Sequence, residues 1–172
     1  MRFRIANGRD IPALHALIES AYRGESARLG WTHEADLLGG QRTDAQALGD
    51  IIADDAQVIL LAEAGGELHG CVLVADKGEG RSYLGMLAVR PDLQSAGVGA
   101  TLLAEAEDLA RHVLEARTME MTVIKRRPEL IAWYERCGYA DTGRETPFPM
   151  DDPRFGLPKV DELVFVALAK AL

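Results

Sequence analysis

The sequence predicts one α/β domain in which a mixed sheet carries helices on both faces. Three observations support this prediction. The length of 172 residues suits a single domain of ordinary size. Three apolar runs separated by glycine turns lie in the middle of the chain. A long amphipathic helix, a strand, a short helix and a last strand follow them, a succession that is typical of a sheet covered on both faces.

The composition is that of a globular protein and excludes several functional classes. Hydrophobic residues make up 48% of the chain and charged residues 27%, which excludes a disordered or fibrous protein. The net charge of −8 argues against nucleic acid as a partner, because an acidic surface repels phosphate backbones, and it admits a cationic substrate. No apolar stretch approaches a membrane span and no secretory signal is recognisable, so we expect a cytoplasmic protein without membrane contact.

The first third of the chain predicts a strand and two helices. Residues 2–6 alternate as a strand does, and Asn7 follows as a helix cap. Glycines then interrupt residues 23–43, and Thr43 is expected to cap the second helix. Apolar residues recur at helical spacing on the buried sides of both helices, namely Ile11, Leu14, Leu17 and Ile18 in the first and Leu48, Ile51 and Ile52 in the second.

The middle of the chain predicts an antiparallel meander of three strands. Residues 58–62 form a continuous apolar run, which is typical of a strand buried on both faces. Gly65 and Gly66 favour a hairpin turn because both can adopt a positive φ. The chain returns over residues 68–75, turns at a second glycine-containing loop and continues as a third strand over residues 83–89.

The last part of the chain predicts two helices and two strands. The longest amphipathic helix extends over residues 98–116, and a strand over 119–124 follows it. A proline favours the start of a shorter helix over 129–137. Residues 145–161 contain four prolines and no periodicity, so we expect a long loop of the kind that forms lids or binding surfaces. A final strand is predicted over 163–168.

The segment between the third meander strand and the long helix is the strongest functional signal. It reads Gln94-Ser95-Ala96-Gly97-Val98-Gly99 and is called the glycine loop below. Backbone N–H groups in the first turn of a helix lack intrahelical partners and attract anions, and glycine lets a phosphate approach closely. A Walker loop is excluded because Ala100-Thr101 replaces the required Lys-Ser or Lys-Thr. A dinucleotide-binding fingerprint is excluded because Leu102 stands where Gly or Ala is required.

Two blocks of the sequence resemble the GCN5-related N-acetyltransferase (GNAT) superfamily. The glycine loop matches the family pattern Gln/Arg-x-x-Gly-x-Gly/Ala. A second block, Leu130-Ile131-Ala132-Trp133-Tyr134-Glu135-Arg136-Cys137-Gly138-Tyr139, is similar to the family signature Ala-Ile-x-x-Tyr-Glu-(x)-x-Gly-Phe/Tyr. The two blocks stand in family order. The resemblance implies a GNAT fold over residues 1–172, with a mostly antiparallel twisted sheet of six to seven strands, splayed between strands 4 and 5, and about four helices.

The resemblance also implies acetyl-CoA as cosubstrate and assigns its contacts. The backbone of Leu87, Ala88 and Val89 would bind the pantetheine arm, in a gap of the sheet that Leu87 and Val123 flank. Tyr134 would lie close to the thioester sulfur. The pyrophosphate would be held by the glycine loop and the two residues after it, namely Gln94, Ser95, Ala96, Gly97, Val98, Gly99, Ala100 and Thr101.

The predicted catalytic residue is Tyr134, which would donate a proton to the departing thiolate or hold its sulfur. A backbone N–H of the fourth strand would stabilise the oxyanion. Some family members carry a glutamate base on that strand, but no carboxylate lies between Ser82 and Val89 here. Cys71 and Cys137 are expected to be reduced thiols, and neither is an evident acyl carrier. We therefore expect direct attack by the amine in a ternary complex.

The acceptor amine is expected to contact the segment after the first helix. Trp31 with Glu34 or Asp36 would hold a cationic amine through cation–π and ion-pair contacts. Equally, Thr32 would cap a helix whose first turn contains these acids. Arg42 would bind a substrate carboxylate or would simply be exposed. In the long loop the expected contact residues are Phe148, Arg154 and Phe155.

These observations predict an N-acetyltransferase that acts on the primary amine of a small molecule. Two alternatives stay open: a catalytically inactive acyl-CoA-binding module, which the missing strand carboxylate favours, and an enzyme that acetylates protein lysines or N-termini. Arg127 replaces an asparagine that is common in the family, which puts a cofactor or water contact at that position in doubt. The four histidines share no metal-ligand spacing, so no metal is expected. The resemblance also allows a homodimer.

Overall fold

The computed structural model describes all 172 residues. The elements, in chain order, are β1 (Arg2–Ile5), α1 (Ile11–Tyr22), α2 (Gly24–Ala27), β2 (Leu38–Gly39), α3 (Ala45–Ala53), β3 (Gln57–Ala64), β4 (Glu67–Gly78), β5 (Arg81–Val89), α4 (Val98–His112), β6 (Thr118–Ile124), α5 (Pro128–Arg136), β7 (Ala140–Pro147), β8 (Leu157–Pro158) and β9 (Val164–Ala171). The main sheet has the strand order β1-β3-β4-β5-β6-β9-β7, and β2 pairs with β8 in a small second sheet. Only β5 and β6 are parallel neighbours, which confirms the mixed, mostly antiparallel sheet. None of the helices has both the length and the hydropathy needed to cross a bilayer.

Helices cover both faces of the main sheet, as the sequence predicts. Alternate residues of β3 point to opposite sides of the sheet. Ile59 and Leu61 pack in an apolar cluster with α1 and α3, whereas Leu60 and Ala62 pack in a second cluster with α4 and α5. Both sides of β3 are therefore buried, which explains the continuous apolar run in its sequence.

The main sheet opens between β5 and β6, which are its fourth and fifth strands. The parallel pairing covers only Arg81–Tyr83 of β5 against Thr118–Glu120 of β6. Beyond these residues the two strands separate, and both contribute side chains to a cavity between them. The splayed sheet that the resemblance implies is thus confirmed.

A β-bulge interrupts β5 at this opening. Cys71 pairs with Ala88 and Leu73 pairs with Gly85, so β5 has one residue more than β4 between these two pairs. Met86, inside the bulge, has a φ of 45°, in the left-handed region that residues other than glycine rarely adopt. A bulge leaves one residue outside the regular hydrogen-bond ladder and bends the strand.

The structure corrects the predicted end of the chain. The expected loop over 145–161 starts later, because Ala140–Pro147 form β7, an edge strand that pairs with β9. All eight residues of β7 are exposed, so no apolar alternation marks the strand in the sequence. The last strand, Val164–Ala171, also extends three residues beyond its predicted end.

Two helix boundaries are also wrong in the sequence analysis. α4 ends at His112, four residues earlier than expected, and Glu115 after it adopts a positive φ of 53°. α3 begins after Asp44, whose side chain accepts a hydrogen bond from the N–H of Ala47 at 2.8 Å. Asp44, and not Thr43, is therefore the cap of α3.

Candidate active site

The glycine loop joins β5 to α4 in a special backbone conformation. Ser95 and Gly97 both lie in the left-handed region, with φ of 69° and 85°. Gly97 is also the N-cap of α4, and no side chain caps this end of the helix. Because Gly97 has no Cβ, it adopts this conformation without the strain that another residue would incur.

Several backbone N–H groups of this loop have no acceptor within the protein. The first N–H of α4 that bonds inside the helix belongs to Thr101, which donates to the carbonyl oxygen of Gly97 at 3.0 Å. A cluster of N–H donors at an uncapped helix N-terminus attracts anions, because the helix dipole adds positive potential there. This is the arrangement that a pyrophosphate-binding loop requires. The free N–H groups are those of Ser95, Gly97, Val98, Gly99 and Ala100.

The side chain of Gln94 connects the glycine loop by hydrogen bonds to residues 31–32, in the segment after α2. Its Oε1 accepts hydrogen bonds from the N–H groups of Trp31 (2.8 Å) and Thr32 (3.2 Å). Its Nε2 donates to the carbonyl oxygen of Val89 at 3.2 Å. Gly30 passes so close to this amide that a Cβ there would overlap it. Gln94 is therefore a positioning residue, a role that the sequence motif alone does not reveal.

A cavity of about 570 Å³, the loop cavity, extends from the glycine loop to α5. Four of the eleven predicted cosubstrate contacts, Ala88, Ala96, Val98 and Thr101, do not line it. Ala88 and Val98 pack in the apolar clusters on the two sides of the sheet, so their side chains are turned away. The other seven predicted contacts do line it: Leu87, Val89, Gln94, Ser95, Gly97, Gly99 and Ala100.

One face of α5 forms another wall of the loop cavity. On this face, the sequence analysis predicted a site role for Tyr134 only. Four further residues line the cavity beside it, namely Glu129, Leu130, Trp133 and Arg136. These four recur at the i, i+1, i+4, i+7 spacing of a single helix face, which is the signal that could have found them. Arg136 adds a positive charge to the wall.

A second cavity, the sheet cavity, lies in the opening between β5 and β6 and has a volume of about 300 Å³. Most of its wall is apolar, contributed by the two strands and by residues 148–165. The two cavities share five residues and therefore meet at one boundary, formed by Tyr22, Leu87, Arg127, Leu130 and Tyr134.

Tyr134 lies at this boundary with its hydroxyl unengaged. The residue is only 6% exposed, and its ring packs edge-on against Trp133 and Tyr139, with centroid distances of 4.8 and 5.8 Å. Burial raises the pKa of its phenol well above the usual value, so the hydroxyl is protonated at neutral pH. No side chain or backbone group of the protein bonds to that hydroxyl, which leaves it available to a ligand.

Tyr22, at the end of α1, is a boundary residue that the sequence analysis did not single out. Its hydroxyl donates a hydrogen bond to the carbonyl oxygen of Leu87 at 2.7 Å, inside the bulged part of β5. Burial raises the pKa of Tyr22 to about 12, so this hydroxyl stays a donor throughout the physiological range. Tyr22 thus ties α1 to the bulge.

A buried ion-pair network joins the end of α1, residues 30–37 and the start of α5. Glu34 accepts hydrogen bonds from Arg23 at 2.5 Å and from Arg127 at 3.4 Å. Arg127 also donates to the carbonyl oxygen of Thr32. The three charged side chains are at most 11% exposed. Arg127, which replaces the family's asparagine, therefore holds residues 30–37 against α5.

The structure separates the residues that were expected to hold a cationic amine together. Glu34 lines the sheet cavity within the ion-pair network. Trp31 lines the loop cavity instead, and its ring lies 6.4 Å from that of Trp133. No helix begins at Thr32, so the alternative prediction of a helix cap there is wrong.

The other predicted acceptor contacts lie at or near the sheet cavity. Arg42 lines it, and its guanidinium stacks over the ring of Tyr22 at 5.2 Å. Phe148 and Phe155 line it from the long loop. Arg154 does not, and forms an exposed ion pair with the neighbouring Asp152.

Both cysteines are free thiols, as expected. Burial raises the pKa of the Cys71 thiol to about 12. Cys137, at the end of α5, is half-buried, and burial raises the pKa of its thiol as well. The raised pKa lowers the fraction of the nucleophilic thiolate in both side chains, and neither cysteine lines the loop cavity or the sheet cavity.

A comparison with protein-family models agrees with the splayed sheet, the uncapped glycine loop and the sequence block around Tyr134. The family model described as "Acetyltransferase (GNAT) family" matches residues 14–139, which extend from α1 to the end of that block. The chain belongs to the GNAT acetyltransferase family. This membership confirms the resemblance seen in the sequence and indicates an acetyl-transferring enzyme.

Solved structures share the GNAT fold over the whole chain. A ribosomal-protein-alanine N-acetyltransferase from Brucella melitensis has a TM-score of 0.74 at 19% identity, with 100% of both chains covered. A Salmonella typhimurium structure that contains acetyl-CoA as its cofactor has a TM-score of 0.73 at 18% identity, covering 100% of this chain and 94% of that one. A variant of spermidine N-acetyltransferase from Vibrio cholerae has a TM-score of 0.69 at 16% identity, covering 99% and 95%. No curated protein sequence is significantly similar to this GNAT chain.

Proposed function

We propose that this GNAT protein transfers an acetyl group from acetyl-CoA to the primary amine of a small molecule, by direct attack in a ternary complex. The observation that carries the proposal is the meeting of two cavities at Leu87 and Tyr134. One cavity ends at the free N–H groups of the glycine loop, and the other is an apolar pocket beside the β5 bulge. A donor and an acceptor can therefore approach one point from two sides.

The chemistry of the loop cavity fits acetyl-CoA. The free N–H groups of the glycine loop suit a pyrophosphate, and Arg136 adds positive charge to the opposite wall. The splay leaves the second half of β5 without a neighbouring strand on one side. The carbonyl oxygens of Leu87 and Val89 already accept hydrogen bonds from Tyr22 and Gln94, so the amides of the pantetheine arm would bond the remaining backbone groups of this stretch. When bound, acetyl-CoA supplies an acetyl thioester whose carbonyl carbon accepts the amine and whose sulfur departs as a thiolate.

The chain offers two groups that would stabilise the charges of this reaction. An N–H group of the bulge at Met86–Leu87 would donate to the carbonyl oxygen as it becomes negative, and removing a donor of this kind typically costs about 3 kcal/mol. The hydroxyl of Tyr134 would donate to the departing sulfur. Because the pKa of Tyr134 lies above that of a thiol, about 8.5, complete proton transfer is uphill. Tyr134 would thus act mainly through a hydrogen bond.

No side chain in the sheet cavity is free to act as a general base. Glu34 is the only carboxylate that lines it, and each of its two oxygens is bound by a guanidinium group. No histidine lines the cavity either. The ammonium group would therefore lose one proton to water before it enters, and the nitrogen would lose a second proton to water as the C–N bond forms and the thiolate departs.

The size of the sheet cavity supports a small acceptor rather than a protein segment. Its volume of about 300 Å³ lies at the lower end of the range of small-molecule sites. Phe148 and Phe155 form part of its wall, and the small sheet of β2 and β8 holds residues 157–158 against the segment before α3. A lysine on a protein surface would need a more open approach.

A charge placed in the glycine loop tests the cosubstrate site. Gly99 has a conformation that other residues adopt, and a Cβ there would make only ordinary contacts, the nearest at 3.7 Å. Gly99→Asp should leave the fold intact and weaken acetyl-CoA binding about 100-fold, because a carboxylate would compete with the pyrophosphate and repel it. Calorimetric titration with acetyl-CoA measures the effect.

Ala104→Asp is the matched control, since it adds the same charge on the exposed side of α4. Its affinity for acetyl-CoA should stay within about twofold of the parent, as expected for a screened surface charge. Equal binding by all three proteins would contradict the assignment of the glycine loop.

Turnover separates an enzyme from an inactive acyl-CoA-binding module. Release of free CoA from acetyl-CoA should depend on an added small amine, and initial rates at varied concentrations of both substrates should give intersecting reciprocal plots. Tight binding of acetyl-CoA without turnover by any amine would favour the binding module. Parallel plots would indicate an acetylated enzyme and would contradict direct attack.

A further inference from the structure

We infer that the acceptor amine carries an anionic group, a carboxylate or a similar oxyanion, and that Arg42 binds this group. The inference rests on the proposed function, because it assigns the substrate class of the same site. It replaces the sequence-based expectation of a cationic amine held by Trp31 with Glu34 or Asp36, and it develops the expectation that Arg42 binds a substrate carboxylate. Charge, hydrogen bonding and position in the sheet cavity all support it.

The charges that line the sheet cavity are mostly positive. Arg23, Arg42 and Arg127 contribute three guanidinium groups, and Glu34 contributes the only carboxylate. The cavity thus has a net charge of +2 in a protein whose total charge is −8. A cavity of one sign with apolar walls concentrates ligands of the opposite sign, so this one favours an anion and repels a polyamine.

Glu34 is not free to receive a substrate ammonium group. Its Oε2 is 2.5 Å from Arg23 and its Oε1 is 3.4 Å from Arg127, and the side chain is 11% exposed. The donors of this network still exceed its acceptors, because the buried Nε of Arg23 has no hydrogen-bond partner. Taking Glu34 away from either arginine would leave a buried charge unpaired, which is costly.

Arg42 is the guanidinium of the cavity that has no carboxylate partner. Its guanidinium carbon lies over the Tyr22 ring at 5.2 Å from the centroid, a contact that uses none of its N–H donors. Its backbone is fixed, because Glu19 accepts hydrogen bonds from the N–H groups of Arg42 and Thr43 at 2.7 and 2.9 Å. A guanidinium that is placed in this way is suited to bind a carboxylate with two parallel hydrogen bonds.

Arg42 is also close to the point of acetyl transfer. The Tyr22 ring that supports it carries the hydroxyl that bonds the Leu87 carbonyl oxygen in the bulge. One tyrosine side chain therefore spans the distance between the proposed anion site and the bulge. An acceptor with its amine at the bulge and its anionic group at Arg42 would be short, as an amino acid is.

Matched pairs of amines test the inference. Each amino acid is compared with its own amide, for example phenylalanine with phenylalaninamide and alanine with alaninamide, and with spermidine as a cationic amine. Rates are expressed per concentration of uncharged amine, because the acid and the amide differ in the pKa of that group. The acid of at least one pair should exceed its amide in kcat/KM about 10- to 100-fold, the strength of hydrogen bonds to a charged group.

Arg42→Gln should bring this ratio of acid to amide close to one. Arg111→Gln, at a half-buried position on α4 outside both cavities, is the matched control and should keep the parent ratio. A preference for the amides or for spermidine in the parent protein would overturn the inference, and so would a parent ratio that Arg42→Gln leaves unchanged.

A binding measurement keeps this test separate from that of the proposed function. The protein saturated with CoA is titrated calorimetrically with the same acids and amides, which requires no turnover. Acids that bind through Arg42 but are never acetylated would support the anion site and contradict the proposed acetyl transfer. Acids that bind no better than their amides would overturn the anion site whatever the activity.

Discussion

At the scale of single residues, two tyrosines with similar surroundings differ in what their hydroxyls do. The hydroxyl of Tyr22 is engaged by the Leu87 carbonyl oxygen, whereas that of Tyr134 has no partner in the protein. Both lie at the boundary of the two cavities. The free hydroxyl of Tyr134 is suited to interact with a reacting group, whereas the hydroxyl of Tyr22 stabilises the contact between α1 and the β5 bulge.

Tyr134→Phe should lower kcat about 10- to 100-fold, the value of one hydrogen bond to a charged sulfur. The affinity for acetyl-CoA should stay within about threefold, because the ring contacts with Trp133 and Tyr139 do not need the hydroxyl. Steady-state rates and calorimetry measure the two effects.

The control for this experiment is Tyr139→Phe. The hydroxyl of Tyr139 donates a hydrogen bond to Glu107 of α4. Tyr139 itself belongs to the apolar cluster under α4 and lies outside both cavities. Loss of this hydroxyl should lower thermal stability with little effect on kcat. An unchanged kcat in Tyr134→Phe would remove Tyr134 from the mechanism.

At the scale of elements, the glycine loop and residues 30–37 depend on each other through Gln94. The amide of this side chain joins two N–H groups of one segment to the last carbonyl of β5. This connection and the hydrogen bond from Arg127 to the carbonyl oxygen of Thr32 together hold Trp31 and Thr32 at the loop cavity. A change in either segment should therefore alter the cosubstrate site.

Gly30→Ala and Gln94→Ala should have similar effects, because the new methyl group would displace the Gln94 amide. Each change should lower the free energy of unfolding by about 1 kcal/mol and weaken acetyl-CoA binding. The double variant should be no worse than Gln94→Ala alone, since both changes remove the same contacts. Additive effects in a double-mutant cycle would show that Gly30 acts independently of Gln94.

The predictability of each element depended on where its side chains lie. The strands β3 to β5 and the helix α4 were recognisable because burial imposes an apolar pattern on them. The glycine loop was recognisable because Gly97 adopts a positive φ, which favours glycine, and because its sequence matches the family pattern. β7 was missed because an edge strand with eight exposed residues is under no such constraint.

At the scale of the whole molecule, charge is distributed unevenly between the surface and the sheet cavity. The net charge of the chain predicts that nucleic acid is not a partner, and it suggested a cationic acceptor that the arginines of the cavity argue against. A total charge does not reveal a local excess of the opposite sign.

The rate of the reaction should rise with pH because only the amine has to lose a proton. The logarithm of kcat/KM should increase with unit slope up to the pKa of the acceptor amine. The raised pKa of Tyr134 and that of Tyr22, about 12, keep both hydroxyls protonated below about pH 10, so no descending limb is expected there.

Two acceptors whose amines differ in pKa provide the control for this pH profile. The inflection should move with the amine. A fixed inflection between about pH 4 and 7 with both acceptors would instead reveal a carboxylate or histidine base on the protein.

The ion-pair network was beyond sequence analysis for a geometric reason. Glu34 is 11 residues from Arg23 and 93 residues from Arg127 along the chain, so no local spacing connects the three. Arg127 was recognised only as a departure from the family pattern. Its contact with residues 30–37 depends on how α5 packs, which only the folded molecule shows.

The shared boundary limits how the acceptor preference of this enzyme can be redesigned. A substitution at Tyr22, Leu87 or Tyr134 changes the walls of both cavities. A gain in acceptor selectivity at these positions would therefore also alter the proposed acetyl-CoA site. Arg42 and Phe155 touch the sheet cavity alone. Mutant libraries that seek new amines should therefore vary these two positions and leave the common wall intact.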